Sequence, residues 1–154
     1  MFKNIIYASV LLISFISYSQ NYVFFLHNKF VEENDLEKAH PEYGKAEYKE
    51  ILEEFRKAEC VVLSEKREKN EDVKKYATKV ISQIDSLFKK GVQPKQITVI
   101  GTSKGGYIAQ YVSTFLKNPN VNFIFIGCFT KSDIREFPDI QFCGRILNIY
   151  EKSD

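Results

Sequence analysis

Residues 97–106, ITVIGTSKGG, join an apolar run to a glycine-rich turn that carries one serine. Four consecutive β-branched residues followed by a glycine are typical of a short buried strand. The next segment, residues 107–116, has the apolar spacing of a helix. Gly101 and Gly105 lie two positions on either side of Ser103, so a G-x-S-x-G motif falls between a strand and a helix. This placement predicts a sharp turn with a strained backbone, which exposes the serine hydroxyl.

Four more apolar runs of strand length lie elsewhere in the chain, at residues 22–26, 60–63, 121–126 and 145–150. Their continuous Val, Ile and Phe content, without strict alternation, favours strands that are buried on both faces, as in parallel sheets. Helical spacing is found in residues 43–58, 72–90 and 107–116. The irregular segment 130–144 contains Pro138, which predicts a short helix and a loop.

The alternation of strands and helices predicts an α/β fold, namely a three-layer, doubly wound parallel sheet of about five strands with right-handed crossovers. We expect the strand at 97–100 to be central, between those at 22–26 and 121–126, with the strand at 60–63 outside 22–26. The final strand would then have an unpaired edge, which native domains usually cover. The sheet is therefore expected to be incomplete at its C-terminal side.

The composition limits the class of protein. A chain of 154 residues suffices for one packed domain, and its 22 basic and 20 acidic residues are interspersed, which gives no indication of a nucleic-acid partner. Cys60, Cys128 and Cys143 lack the spacing of metal ligands, and His27 and His40 alone cannot form a zinc cluster. We therefore expect no metal site, and core packing for the cysteines that border or lie within strands.

The first twenty residues predict a secretory signal peptide. A basic residue precedes an apolar stretch at 5–16 that is too short to span a bilayer well, and residues 17–19 form a small-x-small cleavage site. We expect cleavage near Ser19 or Gln20, a domain over residues 21–154, and a secreted or periplasmic protein with no stable membrane span after cleavage. An uncleaved membrane anchor is the alternative.

Other glycine-rich motifs fit the serine turn less well. A P-loop requires G-x-x-x-x-G-K-[ST], and a dinucleotide fingerprint requires glycine at the position of Ser103. A purely structural strand-to-helix turn and a flavodoxin-like binding module stay open on the residues alone.

With the motif in this position, the mature chain resembles the α/β-hydrolase superfamily. The resemblance implies that Ser103 is the nucleophile and that the backbone N–H of Lys104 is half of an oxyanion hole. The other half would come from the loop after the first strand, where the family often has His-Gly. Here the loop reads FLHNKF, with Asn28 in place of the glycine. This departure restricts the backbone angles of the loop, and either Asn28 or Lys29 is expected to supply the second N–H.

The resemblance also implies a catalytic acid and a histidine. Asp154 stands where the family's acid usually follows a late strand, and Asp133 is the second candidate, although its setting equally fits a helix cap. In the family's chain order the histidine follows the acid, and none follows Asp154 here. His27 is expected to orient its loop, and His40 is a poor candidate for the base. We therefore expect a truncated or fragmentary chain that is inactive as given.

The function implied by the resemblance is that of an exported serine hydrolase without a cofactor. It would cleave a carboxylic ester or related acyl bond, in a small-molecule, glycan or lipid ester, through an acyl-enzyme. The alternative is a noncatalytic protein that keeps the hydrolase fold for binding.

Overall fold

The computed structural model describes residues 20–130 and 133–150. Nearly all of the predicted signal peptide, and the acid predicted at Asp154, lie outside the described residues. The strands form one all-parallel sheet in the order β2-β1-β3-β4-β5. They are β1 (Tyr22–Leu26), β2 (Val61–Leu63), β3 (Ile97–Thr102), β4 (Asn122–Ile126) and β5 (Arg145–Ile149). The predicted α/β class, the central position of β3 and the outer position of β2 are confirmed.

Within the described residues, five helices connect the strands of this sheet. They are α1 (Lys29–Glu33), α2 (Tyr48–Lys57), α3 (Val73–Lys89), α4 (Lys104–Leu116) and α5 (Asp133–Glu136), with a 3₁₀ turn at Pro94–Gln96. The described chain thus alternates strands and helices, as the apolar pattern predicts. The short α5 agrees with the helix expected in residues 130–144.

Two helix starts differ from the prediction. Helix α2 was expected from residue 43, but it begins at Tyr48, because His40 and Gly44 exchange backbone hydrogen bonds of 2.8 and 3.0 Å in a preceding turn. Helix α4 was expected from residue 107, but it begins directly after Ser103, since the glycines of the motif are part of its first turn. Helix α1 was not predicted. Asn28 starts it by accepting the N–H of Val31 through its side-chain oxygen at 3.1 Å.

The core has two parts, one on each face of the sheet. Successive β1 side chains point to opposite faces, so Phe24 packs on one side with α3 and α4, and Phe25 packs on the other with α1 and α2. The three layers predicted from the sequence are therefore present. Strand β3 lies in the middle of the sheet, so its carboxyl end is flanked by β1 and β4.

Strand β5 departs from the predicted burial on both faces. Ile146 is 41% exposed, Leu147 53% and Ile149 46%. Among the described residues, β5 pairs only with β4, so its outer edge and much of its apolar surface have no cover. An apolar run therefore identified the strand but not its burial, because burial depends on neighbours that the run does not encode.

The cysteines are free thiols. Cys128 is buried beneath the first turn of α4, and the half-buried Cys60 packs against the core on the α2 side. Core packing, expected for both, is confirmed. No helix in residues 20–130 and 133–150 has the length and apolarity to cross a membrane.

Candidate active site

The turn between β3 and α4 has the backbone geometry that the motif predicts. Ser103 is exposed and has φ 47° and ψ −120°, in a region that non-glycine residues rarely adopt. Its N–H donates to the carbonyl of Ile126 at 3.1 Å, which ties the strained residue to β4. Such strain persists only where the surrounding structure enforces it, and it is common at catalytic positions.

The glycines of the motif are required by close packing. A Cβ atom at Gly101 would lie 2.6 Å from the backbone carbon of Gly105, and one at Gly106 would overlap the side chain of Cys128. A Cβ atom at Gly105 would lie 2.6 Å from the carbonyl oxygen of His27 and closer still to that of Leu26. The serine turn is therefore pressed directly against the end of β1.

The loop after β1 and the carboxyl end of β3 border one cavity. This cavity, of about 190 Å³, is lined by Asn28 and by Thr102, the residue before the serine, together with apolar residues of β1 and α2. A second cavity of about 540 Å³ also includes Asn28 and extends past Phe30 and Tyr43. The structure therefore brings Ser103, Lys104 and Asn28 to one end of the sheet.

His27 is a buried structural residue with 1% exposure. Its Nε2 accepts the backbone N–H of Arg67 at 3.0 Å, so the proton must be on Nδ1, which donates to the carbonyl of Asn28 at 2.8 Å. Burial lowers the pKa of His27 from 6.5 to about 4, against the opposing effect of the Asn28 hydrogen bond. Both ring nitrogens are occupied, in agreement with the expected loop-orienting role.

We expect the stability of the protein to decrease as the pH falls from about 6.5 to about 4. In this range the unfolded chain binds a proton at His27 that the folded chain excludes, so the free energy of unfolding should fall by up to about 3 kcal/mol. Urea unfolding at a series of pH values measures this slope. Above about pH 5, where the carboxylates of the unfolded chain are mostly ionised, the slope should be absent in His27→Gln and retained in His40→Ala. A flat profile in the original chain would contradict the assignment.

A buried ionic cluster lies behind the loop and the serine turn. Glu32 in α1 accepts Arg67 Nε at 3.2 Å with one carboxylate oxygen and Lys104 Nζ at 2.6 Å with the other. The side chains of Glu32 and Arg67 are fully buried, and that of Lys104 is 18% exposed. Burial would raise the pKa of Glu32, but the hydrogen bonds from Lys104 and Arg67 together lower it. We refer to Glu32, Arg67 and Lys104 as the acid-bridged cluster.

Local patterns in the sequence do not predict the acid-bridged cluster. Arg67 and Lys104 are 35 and 72 positions from Glu32 in the sequence. Arg67 also lies in a charged run that resembles a solvent-exposed segment. The one available signal was the lysine directly after the serine, whose charge needs a partner if the turn is packed.

Asp133, the second candidate for the acid, is buried in a local turn. It accepts the backbone N–H of Thr130 at 2.6 Å and the hydroxyl of Tyr107 at 3.1 Å. Burial raises the pKa of Tyr107 to about 12, with a further contribution from Asp133. These contacts favour the helix-cap alternative for Asp133.

His40 lies in the turn before α2. Its Nδ1 accepts the backbone N–H groups of Glu42 and Tyr43 at 3.2 and 3.4 Å, and its ring stacks on Tyr43. Within the described part of the chain, no hydrogen bond joins the Ser103 hydroxyl to either histidine. The same residues contain no group of three or more His, Cys, Asp or Glu side chains that could hold a metal ion.

The parallel sheet and the serine turn after its central strand define an α/β-hydrolase fold. A family model described as Phospholipase/Carboxylesterase matches residues 59–145, which is more than half of the chain. The chain therefore belongs to the phospholipase/carboxylesterase family of α/β-hydrolases. The matched region contains Ser103 and Lys104, whereas Asn28 and Glu32 precede it. Neither the curated proteins nor the solved structures contained a match to this chain.

Proposed function

We propose that this protein is a serine esterase in which Ser103 is the nucleophile. The observation that carries the proposal is the exposed Ser103, with φ 47° and ψ −120°, at the carboxyl end of the central strand. Membership of the family supports hydrolysis of a small-molecule ester. Glycan and lipid esters are included in the proposed substrate class.

The proposed chemistry is acyl transfer in two steps. Ser103 Oγ forms a bond to the carbonyl carbon of the ester while its proton passes to a base, and the resulting tetrahedral oxyanion accepts N–H groups of Lys104 and of Asn28 or Lys29. The bond to the leaving alcohol then breaks, and the alcohol takes the proton. Water next attacks the acyl-enzyme, which releases the carboxylic acid and restores the serine.

The base in this proposal is a histidine oriented by Asp154, as in the α/β-hydrolase family, and neither His27 nor His40 is assigned that role. The two histidines present are held in other contacts, His27 through both nitrogens and His40 in its turn. The same observation favours the second candidate function, a noncatalytic protein that uses the cavities beside Asn28 for binding. The two candidates differ in whether Ser103 can be acylated.

Acylation of Ser103 can be tested with imidazole as an external base. We expect p-nitrophenyl acetate and imidazole to place an acetyl group on Ser103, because the hydroxyl is exposed and the proposed N–H donors need no histidine. Peptide mass spectrometry locates the adduct, with Ser103→Ala as the control for acetylated lysines. Equal acetylation of the peptide around position 103 in both proteins would refute the esterase proposal and favour a binding role.

We also propose that residues 1–20 direct export and are removed near Ser19 or Gln20. The support is the pattern of the leader alone. N-terminal sequencing of the protein from the periplasm or medium should begin near residue 20 or 21, whereas an intact residue 1 in the membrane fraction would indicate an anchor.

A further inference from the structure

We propose that Glu32 is a positioning residue that holds the two halves of the oxyanion hole in register. The inference rests on the esterase function proposed for Ser103. Its basis is that one buried carboxylate binds, through separate oxygens, the side chain of Lys104 and the guanidinium of Arg67. Lys104 belongs to the serine turn, and Arg67 contacts the loop after β1.

Arg67 fixes the direction of the loop's N–H groups. Its Nη2 donates to the carbonyl of His27 and lies 3.4 Å from that of Asn28, which also accepts His27 Nδ1. In a planar trans peptide the N–H points opposite to the C=O. Since both carbonyls point into the buried cluster, the N–H groups of Asn28 and Lys29 point out of it.

Lys104 connects the other donor to the same carboxylate. Its backbone N–H is at the first position of α4, where intrahelical partners are lacking, and its ammonium group lies 2.6 Å from Glu32 Oε1. The side chain is 18% exposed, so the lysine is held rather than free in solvent. Glu32 therefore connects the loop that carries the Asn28 N–H, through Arg67, with the turn that carries the Lys104 N–H, through the lysine side chain.

The charges of the acid-bridged cluster offer a competing explanation. Glu32 carries one negative charge, Arg67 and Lys104 carry two positive charges, and the net charge of +1 near the oxyanion site would itself stabilise developing negative charge. Positioning and electrostatics predict opposite results when Glu32 becomes neutral. Glu32→Gln raises the local charge, so it accelerates acylation if charge dominates and slows it if positioning dominates.

The test measures the rate of Ser103 acetylation by p-nitrophenyl acetate at saturating imidazole. Glu32→Asp keeps every charge but shortens the bridge, so it is the second variant if Glu32→Gln fails to fold. We expect both to acylate at least about tenfold more slowly, since small misplacement of reacting groups can cost about a hundredfold. Glu54→Asp is the control, because it makes the same side-chain change in an exposed ion pair with Lys57 within α2. Its rate should equal that of the original chain.

Hydrogen exchange provides a readout that does not require activity. In Glu32→Asp, peptides covering residues 27–34 and 103–107 should exchange about tenfold faster, while the peptide covering 97–101 stays protected. If the original chain is acetylated and the Glu32 variants match or exceed its rate, positioning by Glu32 is overturned while the esterase proposal stands. If the original chain is never acetylated at Ser103, the esterase proposal fails, and unchanged exchange in Glu32→Asp would then overturn the positioning role as well.

Discussion

Without an external base, the 154-residue chain is expected to hydrolyse p-nitrophenyl acetate no faster than its Ser103→Ala variant. A serine hydroxyl becomes a strong nucleophile only when a positioned base takes its proton, and His27 has no free ring nitrogen. Serine, base and acid act as a unit, so loss of the base removes most of a roughly million-fold benefit. Initial rates for the two proteins measure the difference, with background reaction at lysines common to both.

The same assay identifies the contrary case. A large Ser103-dependent rate that disappears in His40→Ala would show that His40 reaches the serine after movement of its turn. A form of the protein in which a histidine follows Asp154 should exceed its own Ser103→Ala variant by several orders of magnitude. Comparing the two forms shows whether the serine turn can support acylation once a base is present.

Gly105→Ala is expected to lower the free energy of unfolding by about 3 kcal/mol or more, at the upper end of overpacking costs. The new methyl group would lie 2.6 Å from the carbonyl oxygen of His27 and closer to that of Leu26. These are backbone atoms of a buried strand and loop, so they cannot rotate away as a flexible side chain can. Urea unfolding followed by circular dichroism measures the loss.

Gly44→Ala is the matched control for this substitution. Gly44 has φ +70°, and a Cβ atom there would meet nothing within 4 Å, so only the backbone cost of about 1 kcal/mol applies. A loss for Gly105→Ala no larger than that for Gly44→Ala would mean that β1 and α4 are not in close contact. The difference between the two variants therefore measures the tightness of the serine turn against β1.

Much of the fold follows from local patterns in the sequence. The β-branched run at residues 97–100 and the glycines around Ser103 constrain the chain within a few residues, so they predict a strand, a turn and a helix without knowledge of distant contacts. Short right-handed connections then limit the order of the strands, and β3 is central in both prediction and structure. The strained backbone of Ser103 follows from the same motif.

The acid-bridged cluster could not be predicted in this way. Glu32 lies in a five-residue helix with a weak periodic signal, and its partners come from a charged loop and from the serine turn. Pairing across such separations depends on where the tertiary fold places each segment. The exposure of Leu147 was missed for the same reason, since an apolar run does not report what covers it.

The shared carboxylate of Glu32 also limits which substitutions this protein can accept during evolution. A neutral residue at position 32 would leave the guanidinium of Arg67 buried without a counterion, and removal of the cation at 67 would leave the acid half-paired. Groups in one ionic network have non-additive effects, so the stability lost on replacing positions 32 and 67 together should be smaller than the sum of the two single losses. The residues at positions 32 and 67 should therefore co-vary among homologues of this chain, and the residue at position 104 should co-vary with them.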